Sequence, residues 1–125
     1  MYHAVGDKLA ALASARCGKH GYGAFGAVLG CTERDEAAEI RKNYSNLFFL
    51  IPGYGAQGGA ADDAALLLRE GNGGVVNASR SILKAWETEL KKAGGDASAA
   101  TNSLAADAAR RAAVEMRDAI RAAGK

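Results

Sequence analysis

A chain of 125 residues suffices for one compact domain and not for two. Hydrophobic residues at 49% and charged residues at 24% are a globular balance, and a net charge of +2 offers no basic platform for nucleic acid. No stretch approaches ~20 consecutive apolar residues and no charged-then-apolar leader is present, so the expectation is a cytoplasmic protein with no membrane contact.

From the N-terminus, residues 2–15 carry Val5, Leu9 and Leu12 at helical spacing, with no strand before them. Cys17 and Cys31 have no paired spacing, and His3 and His20 complete no zinc pattern, so buried free thiols and no metal are expected. Three nearly continuous apolar runs follow, and they predict strands near 26–31, 47–52 and 73–78. Runs of this kind mark parallel strands covered on both faces.

A helical segment follows each run. Thr32 is placed to cap the first, with Glu33, Asp35 and Glu36 in its opening turn, Ile40 on its apolar side and an end near Asn43. The second spans about 60–69, opens on Asp62 and Asp63, carries Leu66 and Leu67, and stops at Gly71. The third starts around Ser81 and carries Ile82, Leu83, Trp86 and Leu90 before Gly94 and Gly95 break it. A polar linker from Gly94 to Asn102 leads to a closing amphipathic helix near 103–122. Repeated strand and helix imply an α/β fold with right-handed crossovers. Three such units cannot close a (β/α)8 barrel, which needs about 250 residues. The sequence therefore reads as about three βα units, with flanking helices, cut from a longer chain.

Two strand-end segments carry candidate chemistry. Pro52-Gly53-Tyr54-Gly55-Ala56-Gln57-Gly58-Gly59 holds four glycines in eight residues and leads into a helix N-terminus, where free N–H groups attract anions. Glycine content alone fits a plain surface loop equally well. In Asn77-Ala78-Ser79-Arg80-Ser81-Ile82 an arginine stands at a strand's C-terminal end, placed to fork onto a phosphate. A lone arginine more often pairs with a neighbouring carboxylate. If the chain is the C-terminal half of an α/β barrel, the two segments would be the pair of loops after strands 7 and 8 from which such barrels build a phosphate site.

Phe49 through Gly59 resembles the strand-7 signature of bacterial orotidine-5′-phosphate decarboxylases, and Gly71 through Ile82 resembles their strand-8 signature. Gly21-Tyr22-Gly23 and Gly26 through Thr32 are similar to the strand-6 region, and Ala108 through Asp118 to the closing helix. The resemblance spans residues 1–125 as the C-terminal half of one barrel domain, comprising strands 6–8. It implies that Gln57 and Arg80 bind the substrate 5′-phosphate, while Pro52, Gly53, Tyr54 and Gly55 lie on the loop that folds over the nucleotide. Cys31 and Ala78 depart from the subgroup's usual Ala and Ser, both conservatively in size.

The resemblance further implies a carboxy-lyase of pyrimidine biosynthesis, converting orotidine 5′-phosphate to UMP and CO2 without a cofactor. The whole enzyme would be a homodimer. The family's Asp-x-Lys-x-x-Asp motif occurs nowhere in the sequence, so no catalytic residue is assigned. Lys8, Lys19, Lys42, Lys84, Lys91, Lys92 and Lys125 read as solvated charges in helices, turns or the terminus. The chain alone is expected to be inactive. The alternative is a non-catalytic phosphate- or nucleotide-binding half-barrel, or an inactive fragment.

Overall fold

Three parallel strands, β1 (Gly26–Val28), β2 (Phe48–Pro52) and β3 (Gly74–Asn77), lie side by side in that order. The computed structural model describes residues 2–55 and 59–124. β1 is shorter than the apolar run around it. Leu29 N–H still donates to Leu50 O at 2.9 Å and Cys31 N–H to Pro52 O at 3.1 Å, so pairing continues to the strand's C-terminal end.

The helices are α1 (Tyr2–Ala15), α2 (Arg34–Asn43), α3 (Ala61–Leu66), α4 (Ser79–Leu83), α5 (Ala85–Lys92) and α6 (Asn102–Ala123). The register aligns Val28 with Leu50 and Leu50 with Val75, so side chains of like parity share a face. Phe49 and Ile51 point into the core with Leu47, Leu67, Tyr44 and Ala37, and Phe49 is 1% exposed. On the opposite face Val28 is 68% exposed, Leu50 41% and Val75 54%. The runs are those of strands covered on both faces in a whole barrel, and in this chain only one face is covered, as three βα units cut from such a barrel require. Successive right-handed crossovers carry their helices to the same side of the sheet. The other face is the one a closed barrel fills with its own interior side chains.

Local helix chemistry departs from expectation at three points. Glu33, not Thr32, is the N-cap of α2, and no side chain caps it. Thr32 stands one residue too early for its hydroxyl to take the cap position. α3 is shorter than 60–69, with Leu67 as its C-cap. The helix expected from Ser81 is two helices: Lys84 leaves helical geometry at φ −101° and ψ 9°, ending α4 and starting α5. Leu83 consequently faces solvent while Leu90 is buried.

Long-range polar contacts tie the helices down. The buried Arg41 guanidinium donates to three backbone carbonyls, Tyr44 O at 2.5 Å, Leu47 O at 3.0 Å and Gly73 O at 3.2 Å. It also lies 4.4 Å from the centre of the Phe49 ring. α1 is held through Tyr44, whose hydroxyl is within hydrogen-bond distance of His3 O and Asp7 Oδ1. Asn46 Nδ2 donates to Ala10 O at 2.9 Å. Within the expected linker, Asp96 Oδ1 accepts from Ser98 N–H at 2.8 Å and orders a single 3-10 turn, Ala97–Ala99. Thr101 Oγ1 then caps α6 by accepting from Leu104 N–H at 3.1 Å. α6 packs over α3, α4 and α5, and Arg111 pairs with Glu89 of α5.

Candidate functional site

The parallel register sets Pro52, the last residue of β2, beside Asn77, the last residue of β3. The loops leaving these two strands therefore start next to each other. Together they enclose a recess of about 90 Å³ lined by Pro52, Gly53, Tyr54 and Asn77 through Ser81. Two segments that were 25 residues apart as motifs are one place in the fold.

The glycine loop takes its shape from backbone that side chains resist. Gly53 has φ 105° and Gly55 φ 71°, both in the left-handed region where a Cβ is strained. The loop closes on itself, Gly55 N–H donating to Gly59 O at 2.8 Å and Gly59 N–H to Gly53 O at 3.1 Å. A Cβ on Gly55 would lie 2.9 Å from Ser81 Oγ, so the first loop rests directly on the first turn after β3. A Cβ on Gly59 would lie 2.5 Å from Cys31 Sγ, so the loop also packs closely against Cys31, three residues beyond β1.

Cys31 Sγ donates to Pro52 O at 3.3 Å and is buried at the foot of the loop, whereas Cys17, also expected to be buried, is exposed just after α1. Burial pushes the Cys31 thiol pKa up, a backbone hydrogen bond opposes that, and the Asp63 charge adds to the rise. Asp63 is held below the usual carboxylate range, first by the Ala60 N–H and then by Arg34. Its Oδ2 accepts from Ala60 N–H at 3.0 Å and its Oδ1 from Arg34 at 2.9 Å. An alanine cannot return the capping bond, so Asp63 anchors the start of α3 alone.

Arg80 stands in the first turn of α4, exposed, at the rim of the recess. None of the ion pairs among the described residues engages it. Among the described residues, no carboxylate makes the bond that is the more ordinary reading of such an arginine. Pro52, Gly53 and Tyr54 line the recess with it, and Gly55 abuts it through Ser81. Gln57, the other expected phosphate ligand, lies outside the described residues. Lys8, Lys19, Lys42, Lys84, Lys91 and Lys92 are exposed, and none stands at the C-terminal end of β1, β2 or β3; Lys125 lies outside the described residues.

Sequence reasoning missed two residues here. Asn77 lines the recess, and its only sequence signal is its standing directly before the Ala78-Ser79-Arg80 turn in a position where strands disfavour Asn. Ser81, assigned only to a helix start, turns out to support Gly55.

The chain is 48% identical over 121 residues to an orotidine 5′-phosphate decarboxylase of Clostridium acetobutylicum, covering 97% of this chain and 39% of that protein. A Clostridium perfringens protein of the same name is 49% identical over 123 residues, covering 98% of this chain and 39% of its own length. Over nearly its whole length this chain is similar to part of an orotidine 5′-phosphate decarboxylase. A Petrotoga mobilis decarboxylase, 45% identical over 120 residues, shows the same proportion, with 96% of this chain and 38% of the relative matched. The chain thus spans about two-fifths of the curated decarboxylases it matches, which fits a C-terminal half. A crystal structure of a Toxoplasma gondii orotidine-monophosphate-decarboxylase superposes with a TM-score of 0.52 at 27% identity, covering 79% of this chain and 29% of that one. The three parallel βα units are accordingly a portion of that decarboxylase barrel. No family model matches the chain. Among the described residues, no helix is long and apolar enough to cross a membrane.

Proposed function

We propose that this chain is the phosphate-gripping C-terminal half, residues 1–125, of a cytoplasmic, homodimeric orotidine-5′-phosphate decarboxylase, which converts orotidine 5′-phosphate to UMP and CO2. The observation that carries the reading is the single recess formed where the Pro52–Gly55 loop meets the Asn77–Ser81 turn, with Arg80 at its rim. A guanidinium forks onto two phosphate oxygens, and each charge-assisted bond contributes on the order of 1.5–3 kcal/mol. Gln57 and Arg80 are the phosphate ligands in this reading, and Pro52 through Gly55 form the covering loop.

Binding energy gathered at the phosphate is useful to an enzyme when it closes a loop and assembles a distant reacting centre. That is the role assigned to this half. The lysine–carboxylate array that would stress the departing carboxylate and protonate the resulting carbanion has no counterpart at these strand ends, so the chain alone leaves the barrier standing.

The test has two arms. Titration of the chain with UMP, followed by amide NMR, should move the signals of Ser79–Ile82, and Arg80→Ala should abolish those shifts. Joining the chain to the N-terminal three-fifths of the Clostridium acetobutylicum relative should yield loss of orotidine 5′-phosphate absorbance that the chain alone does not produce. Binding of UMP unchanged in Arg80→Ala would show the site assignment to be wrong. Binding intact with a folded but inactive joined protein would favour a stand-alone nucleotide-binding half-barrel.

A further inference from the structure

The register that brings Asn77 opposite Pro52 also places it on the same face of the sheet as Leu50 and Val75, at the strand's C-terminal end. Its side chain is exposed and lines the recess together with Arg80. Asparagine is among the residues strands disfavour, so strand formation does not account for its presence. Its orientation is set locally: Ser79 Oγ donates to Asn77 Oδ1 at 2.9 Å. With the amide oxygen turned to Ser79, the two N–H groups are what the side chain offers to a ligand, and both are donors.

A phosphate monoester presents three strongly accepting oxygens. A forked arginine satisfies two of them, and further donors are needed for the rest. We propose that Asn77, oriented by Ser79, is an additional phosphate-binding side chain that donates from its amide nitrogen to the substrate's phosphate end. This rests on the reading of the recess as the phosphate site and extends it to a residue pair that neither motif match assigns.

The probe is ribose 5-phosphate, titrated by amide NMR against the full chain and against Asn77→Ala, Asn77→Asp, Ser79→Ala and Arg80→Ala. Asn77→Ala should weaken binding roughly tenfold, the lower end for a hydrogen bond to a charged group. Asn77→Asp keeps the shape and the bond from Ser79 but turns a carboxylate toward the dianion, so it should bind more weakly than Asn77→Ala. Ser79→Ala should cost a smaller factor, because it frees the amide to turn without removing it. Ribose 5-phosphate bound equally well by Asn77→Asp and the unsubstituted chain would overturn the proposal, as would Asn77→Ala within twofold. If Arg80→Ala still loses binding in that case, the phosphate site stands and only the role of Asn77 fails. No effect of Arg80→Ala, or no binding by the unsubstituted chain, removes both.

Discussion

The α-carbon of Gly55 faces the Ser81 hydroxyl so closely that a methyl group there would lie 2.9 Å from Oγ. Gly55 leaves the second strand and Ser81 follows the third, so this contact joins the two loops around the recess. Two costs are predicted for Gly55→Ala. One is the left-handed φ of 71°, roughly 1–3 kcal/mol for a residue with a Cβ. The other is the clash, which Ser81→Ala relieves. In a double-mutant cycle read by thermal melts and UMP binding, adding Ser81→Ala should recover part of the loss from Gly55→Ala, never all of it. Strict additivity of the two substitutions would show that the loops do not touch.

Arg41 is only 6% exposed and its charge is matched by carbonyl dipoles rather than by a carboxylate. Burial pulls its pKa down, yet a guanidinium stays charged across the stable range of proteins. Arg41→Met would leave the carbonyls of Tyr44, Leu47 and Gly73 without this donor, at a cost of roughly 3 kcal/mol or more. Lys42→Met, one residue on but exposed, should be near neutral. Urea unfolding of the two variants checks the contrast, and equal midpoints would show that the guanidinium does not brace the fold.

Acid should loosen the start of α3. The Asp63 pKa is depressed in the folded chain, so the folded state favours the ionised form more than the unfolded state does. Its contribution is therefore complete above the ordinary carboxylate range and disappears as pH falls through the depressed folded value. Asp63→Asn, which keeps an acceptor for Ala60 N–H but no charge for Arg34, should show a flatter fall of melting temperature over that acid range. Parallel curves for the two proteins would contradict the assignment.

The uncovered face of the sheet should make the chain associate. Val28, Phe48, Leu50 and Val75 form an apolar stripe on adjacent strands, and β1 and β3 are the outer strands of the sheet. We expect dye-binding oligomers from the chain by itself, suppressed when it is co-expressed with the N-terminal portion of a relative. Leu50→Ser with Val75→Thr should reduce the dye signal without disturbing the buried Phe49 face. Sedimentation of the unsubstituted chain as a monodisperse monomer with no dye binding would refute this.

What the sequence determined by itself was local. The order of strands and helices, the glycine loop after the second strand and the arginine after the third are legible because each depends on residues within a few positions. The split of the third helix at Lys84 was not legible, since Ile82, Leu83, Trp86 and Leu90 keep a helical spacing across it. Only tertiary structure decided which side of the sheet is bare, because a continuous apolar run looks the same whether one face or both are covered. It also decided that Arg41, by position an ordinary cation in the last turn of a helix, is a buried brace. The carbonyls that hold it come from 3, 6 and 32 residues away. Likewise Asn77 comes to line the recess only because the parallel register sets it beside Pro52, 25 positions earlier in the chain. Periodicity records what a residue's neighbours in sequence require, and backbone groups brought together by crossovers leave no periodic trace.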